Sequence, residues 1–155
     1  MLSFIPAGIL RSIAEYLLAV IPGAALLFFF FVAAEILVFV LPGNDWKSIS
    51  FVPVICIMAP IAGTVSTLLM EKIRPKPITL AKGAAIGAAS GFIGSLASVA
   101  MLATTALLFK KFAFGQAISG AWFYLALAVV VLIESILGLL GGAITAHLIS
   151  NHEES

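Results

Sequence analysis

A carboxylate stands alone in the apolar run from Ala121 to Leu140. Glu134 has only Tyr124, Ser135 and the indole NH of Trp122 for polar company there. A run of that length can span a bilayer, and an ionised side chain near its midpoint costs about 2.5–3.5 kcal/mol on insertion scales. Acids in such positions turn toward protein or water and often take part in moving protons or cations. Glu35 repeats the situation in an earlier apolar run. The chemistry these two glutamates offer is proton or cation handling inside a membrane.

The composition around them fits that setting. The chain has 155 residues, enough for a single membrane domain over 1–155, and is 63% hydrophobic and only 10% charged. Its mean hydropathy is +1.23, whereas soluble proteins carry roughly 25% charged residues. A net charge of +1 gives no basic excess of the kind that holds nucleic acid. The single cysteine, Cys56, lies in an apolar run and reads as a small buried hydrophobe. His147, His152 and Cys56 do not have the spacing of a metal site. With no nucleophile–base pair and no cofactor motif, neither a cofactor nor an enzymatic activity is expected.

Four spans hold these residues. A helix needs about 20 apolar residues to cross the hydrocarbon core, and the pattern predicts spans over about 18–41, 51–70, 80–109 and 118–150. The first ends at Pro42-Gly43-Asn44-Asp45, the second at the charged, proline-containing run from Glu71 to Pro77, and the third at Lys110-Lys111. Thr79 can cap the third helix. A single helix from Pro6 to Leu41 would be about 54 Å long, well beyond a ~30 Å core. Pro22-Gly23 is therefore read as a break or kink, with Phe4 to Ala19 a partly interfacial helix in which Arg11 and Glu15 pair one turn apart. The expected architecture is an all-α integral membrane four-helix bundle with an N-terminal interfacial segment.

Orientation follows from the basic residues. Arg11, Lys72, Arg74, Lys76 and Lys82 collect on one side, against Lys47, Lys110 and Lys111 on the other. The positive-inside rule then places both termini in the cytoplasm, in the cell membrane. Arg11, Lys72, Arg74 and Lys76 are candidates for holding anionic lipid headgroups.

The third span opens with glycines at 83, 87 and 91, followed by Gly94 and Ser98 on the same side. Glycines at that spacing cut a groove along which a neighbouring backbone can approach closely. The fourth span has its own stripe in Gly138 and Gly142, and Glu134 shares that face with them and with Thr145. The stripes predict packing between helices of one chain or between copies, as in a homo-oligomer or a subunit of a membrane complex. Ser95 and Ser98 of the third span and Thr64 of the second are read at the depth of Glu134. With no Lys or Arg at that level, the neutral acid is favoured there. Pro60 frees the Cys56 carbonyl from its helical donor, which offers an oxygen near Thr64. Glu35 can snorkel toward the interface or share a proton with Glu134. Ile61 to Leu68 resembles Leu140 to His147, which hints at two similar hairpins.

The glycine runs Gly83 to Gly94 and Gly138 to Gly142 resemble those of small, uncharacterised four-span glycine-zipper membrane proteins of archaea and bacteria, a likeness that implies no activity. The glycine-rich third span followed by Glu134-Ser135-Ile136-Leu137-Gly138 also resembles, more distantly, the proteolipid c subunit of vacuolar-type ATPases. That likeness implies an ion-binding glutamate in the fourth span. The polar Arg/Gln loop of that family is absent here, with Lys110 to Gln116 in its place. Two functions are carried forward. One is a small transporter or channel-like protein using Glu134, with Glu35, Ser98 and Thr64 as neighbours. The other is an accessory or scaffold subunit whose glutamates and glycines only lock helix packing.

Overall fold

The computed structural model describes residues 7–40, 51–74, 77–108 and 121–153. They form four α-helices: α1 (Ala7–Val40), α2 (Phe51–Ile73), α3 (Leu80–Leu108) and α4 (Ala121–Glu153). Each contains a stretch long and apolar enough to cross a membrane, namely Gly8–Ala34, Cys56–Ile73, Leu80–Thr104 and Tyr124–Asn151. Helix is the form in which such runs satisfy every backbone N–H and C=O within the segment. The helix ends follow local chemistry. The Arg74 N–H closes α2 on the Met70 carbonyl at 3.0 Å just before Pro75, and the Thr79 carbonyl opens α3 by accepting the Gly83 N–H at 3.0 Å.

The N-terminal segment differs from expectation. α1 runs unbroken through Pro22-Gly23 for 34 residues, so residues 7–19 belong to the same helix as the first span. Proline removes one backbone bond, but packing can hold a helix through that loss. Here Gly23 is pressed onto α2: a side chain on it would collide with the Ser66 hydroxyl and the Ala62 carbonyl. Gly23 is a contact point in this structure, and Pro22 beside it is exposed.

The helices alternate in direction, which brings the start of α1, the end of α2, the start of α3 and the end of α4 to one end. α4 packs on α3 and α2, while α1 packs on the same two helices from the other side. Glycine sets the register. A Cβ on Gly87 would run into the Gly138 carbonyl and one on Gly138 into that of Gly87, and Gly83 and Gly142 exclude each other's side chains in the same way. Gly91 lies against the backbone of Glu134 and Ser135. On the neighbouring face Gly63 meets the Gly138 carbonyl, and Gly141 meets that of Pro60. Backbones this close gain dispersion contacts that Leu or Phe would prevent. The similar segments 61–68 and 140–147 therefore lie against each other in the α2–α4 contact.

The interior is small and polar, and the exterior is large and apolar. Ser66, Thr67, Ser90, Ser95, Ser98, Glu134 and Thr145 are buried, whereas Leu18, Phe29, Ile36, Tyr124, Leu132, Ile144 and Leu148 are each exposed by more than half. Soluble proteins show the reverse order. Gly138→Ala should destabilise the detergent-solubilised protein by about 1–3 kcal/mol through overpacking. Gly8→Ala, where nothing lies within 4 Å, should be neutral or gain a few tenths of a kcal/mol. Thermal unfolding of the two variants side by side checks the contrast, and equal behaviour would contradict it.

Candidate functional site

Glu134 is 1% exposed, on the face of α4 that packs against α3. Its backbone carbonyl is level with Gly91. Helical side chains tilt toward the N-terminus of their own helix, and α3 runs antiparallel, so the carboxyl reaches past Gly91 toward the next residue on that line, Ser95. Ser95 is fully buried and is the side chain that interacts with the Glu134 carboxyl. The approach does not close into a hydrogen bond: neither carboxyl oxygen has a partner, and neither has the Ser95 hydroxyl.

That lack sets the site apart from the other buried hydroxyls. Ser90 donates to the Gly87 carbonyl, Ser98 to Gly94, Thr67 to Gly63 and Thr145 to Gly141, all at 2.8–2.9 Å within their own helices. Such back-bonding satisfies a hydroxyl without help from a neighbour. Ser66 is the other exception, buried against Gly23 with no partner. A buried polar group left unpaired costs about 1–3 kcal/mol, and more when charged. Glu134 and Ser95 are therefore a buried polar pair whose one polar side-chain neighbour is the other.

Sequence reasoning grouped Ser98 and Thr64 with Glu134, and the structure separates Thr64 from it. The glycine line of α3 divides in two. Gly83, Gly87 and Gly91 follow α4, whereas Gly94 turns to the Ala24 carbonyl and Leu27 of α1; Ser98 is buried one turn on, its hydroxyl bonded to the Gly94 carbonyl. Thr64 sits far along α4, 3.1 Å from the Thr145 hydroxyl and 3.4 Å from the Gly141 carbonyl. That is two to three helical turns from Glu134, about 10–16 Å along the axis. Thr67 lies 3.4 Å from the Gly83 carbonyl, so α2, α3 and α4 meet through hydroxyls that are all bonded. Pro60 belongs to this region as well and packs on Gly141. Glu35 is on α1 beyond Phe31, and its side chain lies outside the described residues.

Gly83, Gly87, Gly91, Gly94, Gly138 and Gly142 all pack within the chain, and among the described glycines only Gly8 is open. Cys56 is exposed on α2. Of the proposed headgroup ligands, Arg11 and Arg74 both pair with Glu15, Lys72 is exposed, and Lys76 lies outside the described residues. Among the described residues no three His, Cys, Asp or Glu side chains come together.

The separation of Thr64 from Glu134 is measurable. Thr64→Val and Thr145→Val should couple by about 0.6 kcal/mol, up to about 1.7, in a double-mutant cycle read by unfolding in detergent. Thr64→Val and Glu134→Gln should add without coupling. No protein-family model, no curated protein and no solved structure matches this chain.

Proposed function

We propose that this chain is a small integral membrane transporter or channel-like protein in which Glu134 exchanges a proton or holds a cation, with Ser95 as its immediate partner. Four helices of sufficient length and apolarity, with an outer surface of large hydrophobic side chains, support the membrane setting. The distribution of basic residues favours both termini in the cytoplasm, in the cell membrane. The observation that carries the function is the buried carboxyl with no hydrogen bond on either oxygen, beside an equally unbonded serine hydroxyl. A group used only for packing would be expected to carry its bond, because leaving it open costs more than the bond contributes.

The scaffold reading is favoured by a different observation. The backbone beside Glu134 is packed on Gly91 without room for a methyl group, which suits a helix lock. Self-association would then use the large apolar side chains of the outer face, since the described helical glycines other than Gly8 are all engaged within the chain.

Purified protein in vesicles with an internal pH dye and an imposed proton or sodium gradient separates the two. The transport reading predicts ion-dependent flux in the parent protein. It also predicts loss of at least 90% of that flux in Glu134→Gln, with the unfolding temperature little changed. Equal flux in the two proteins would overturn Glu134 as the ion-handling group, and no flux above empty vesicles in either would leave only the scaffold.

A further inference from the structure

The end of the bundle far from Glu134 carries a second polar cluster. Arg74, just past α2, places Nε 2.6 Å from Glu15 Oε2 and donates through Nη2 to Ser12 Oγ at 2.8 Å. Its guanidinium carbon lies 5.7 Å from the ring centroid of Tyr16. Arginine loses much rotamer entropy when it is fixed, and here three α1 side chains fix it together. The same carboxylate takes Arg11 Nε at 3.0 Å. Two arginines therefore share the Glu15 carboxylate.

Arg74 forms one wall of a cleft of about 40 Å³ between α2 and α3, lined also by Met70, Pro77, Ile78, Lys82 and Ile86. Lys82 is exposed and has no ion pair among the described residues. Met70, Ile78 and Ile86 are at most 4% exposed, so they form a water-poor wall against which an ionic contact strengthens. α3 begins at Leu80, and the positive end of its helix dipole adds to the field of the two cations. The space is on the scale of one phosphate group, with the rest of a larger molecule left outside.

We propose that this cleft seats the phosphate of an anionic phospholipid, held between Lys82 and the Arg74 Nη N–H groups that Glu15 and Ser12 leave unused. The lipid is favoured over a soluble phosphate by what surrounds the cleft. It lies at the end of four apolar helices, and the first turns of α1 expose Ile9, Leu10, Ile13 and Leu17 by about half each, a surface suited to acyl chains. The proposal rests on the membrane setting given above and is independent of any role for Glu134. It assigns the headgroup to Arg74 and Lys82, withdraws Lys72, which is exposed and does not line the cleft, and leaves Arg11 to the task of balancing Glu15.

The test titrates phosphatidylglycerol into the full-length protein in neutral detergent and follows the unfolding temperature, with phosphatidylcholine and inorganic phosphate as separate arms. Phosphatidylglycerol should raise the midpoint saturably, while the other two should not. Lys82→Gln should need about five- to tenfold more lipid for the same shift, and Lys72→Gln, an exposed cation outside the cleft, less than twofold more. Arg74→Lys, which keeps the charge and loses the fork, should weaken the response as Lys82→Gln does. Equal effects of Lys72→Gln and Lys82→Gln would overturn the site in favour of general charge attraction. A shift produced by inorganic phosphate would overturn the lipid, and no shift with phosphatidylglycerol would overturn both. A chain that stays dispersed without detergent would instead overturn the membrane setting.

Discussion

Close backbone contact at Gly138 constrains the whole bundle. Its carbonyl is approached by Gly63 from α2 and by Gly87 from α3, at distances where no side chain fits on any of the three. In an apolar solvent, helices gain nothing from hiding hydrocarbon, so the attraction must come from dense packing and local polar contacts. A junction of three glycines supplies the packing. It also fixes register, because a shift of one residue would bring a Cβ into a carbonyl. The parallel approach of Pro60 to Gly141 and the antiparallel approach of Gly83 to Gly142 follow from the same junction.

That register decides which polar groups meet. One turn before Gly138 on the α3-facing side stands Glu134, and the antiparallel run of α3 puts Gly91 and then Ser95 opposite it. Toward the other end the same contacts bring Thr64 to Thr145 and Thr67 to Gly83. These threonines are saturated by bonds to carbonyls and to one another. Glu134 and Ser95, held by the same glycine line, are left open. The contrast gives the acid its functional reading: the fold can satisfy buried hydroxyls and does so almost everywhere else.

Much of the helix layout was legible in the sequence, because apolar runs bounded by Pro, Gly and charge have few alternatives. The starts at Phe51 and Leu80 follow from such boundaries. The continuity of α1 was not legible, since nothing near Pro22-Gly23 reveals that Ser66 will pack there. The depth of Thr64 was misjudged for a related reason. Span midpoints give depth only to within a turn or two, and the register of α2 on α4 is set by Pro60 and Gly141, which lie far apart in the chain. That Ser95 is the side chain at the carboxyl needed the antiparallel match of Gly91 to Glu134, which no local pattern announces. The Glu15–Arg74 contact joins α1 to the residue just past α2 at one end of the bundle, 59 positions apart in the chain, and has no local signal at all.

Whether Glu134 communicates with water distinguishes a working acid from a structural one. Infrared difference spectroscopy of the protein in lipid, with the Glu134 carboxyl band identified by its loss in Glu134→Gln, measures this directly on transfer to D2O. An ion-handling Glu134 predicts that its band shifts within seconds to minutes while the backbone amides of the helices remain protected. A band that stays unshifted until the helices themselves exchange would contradict that role and leave Glu134 as a sealed part of the helix junction.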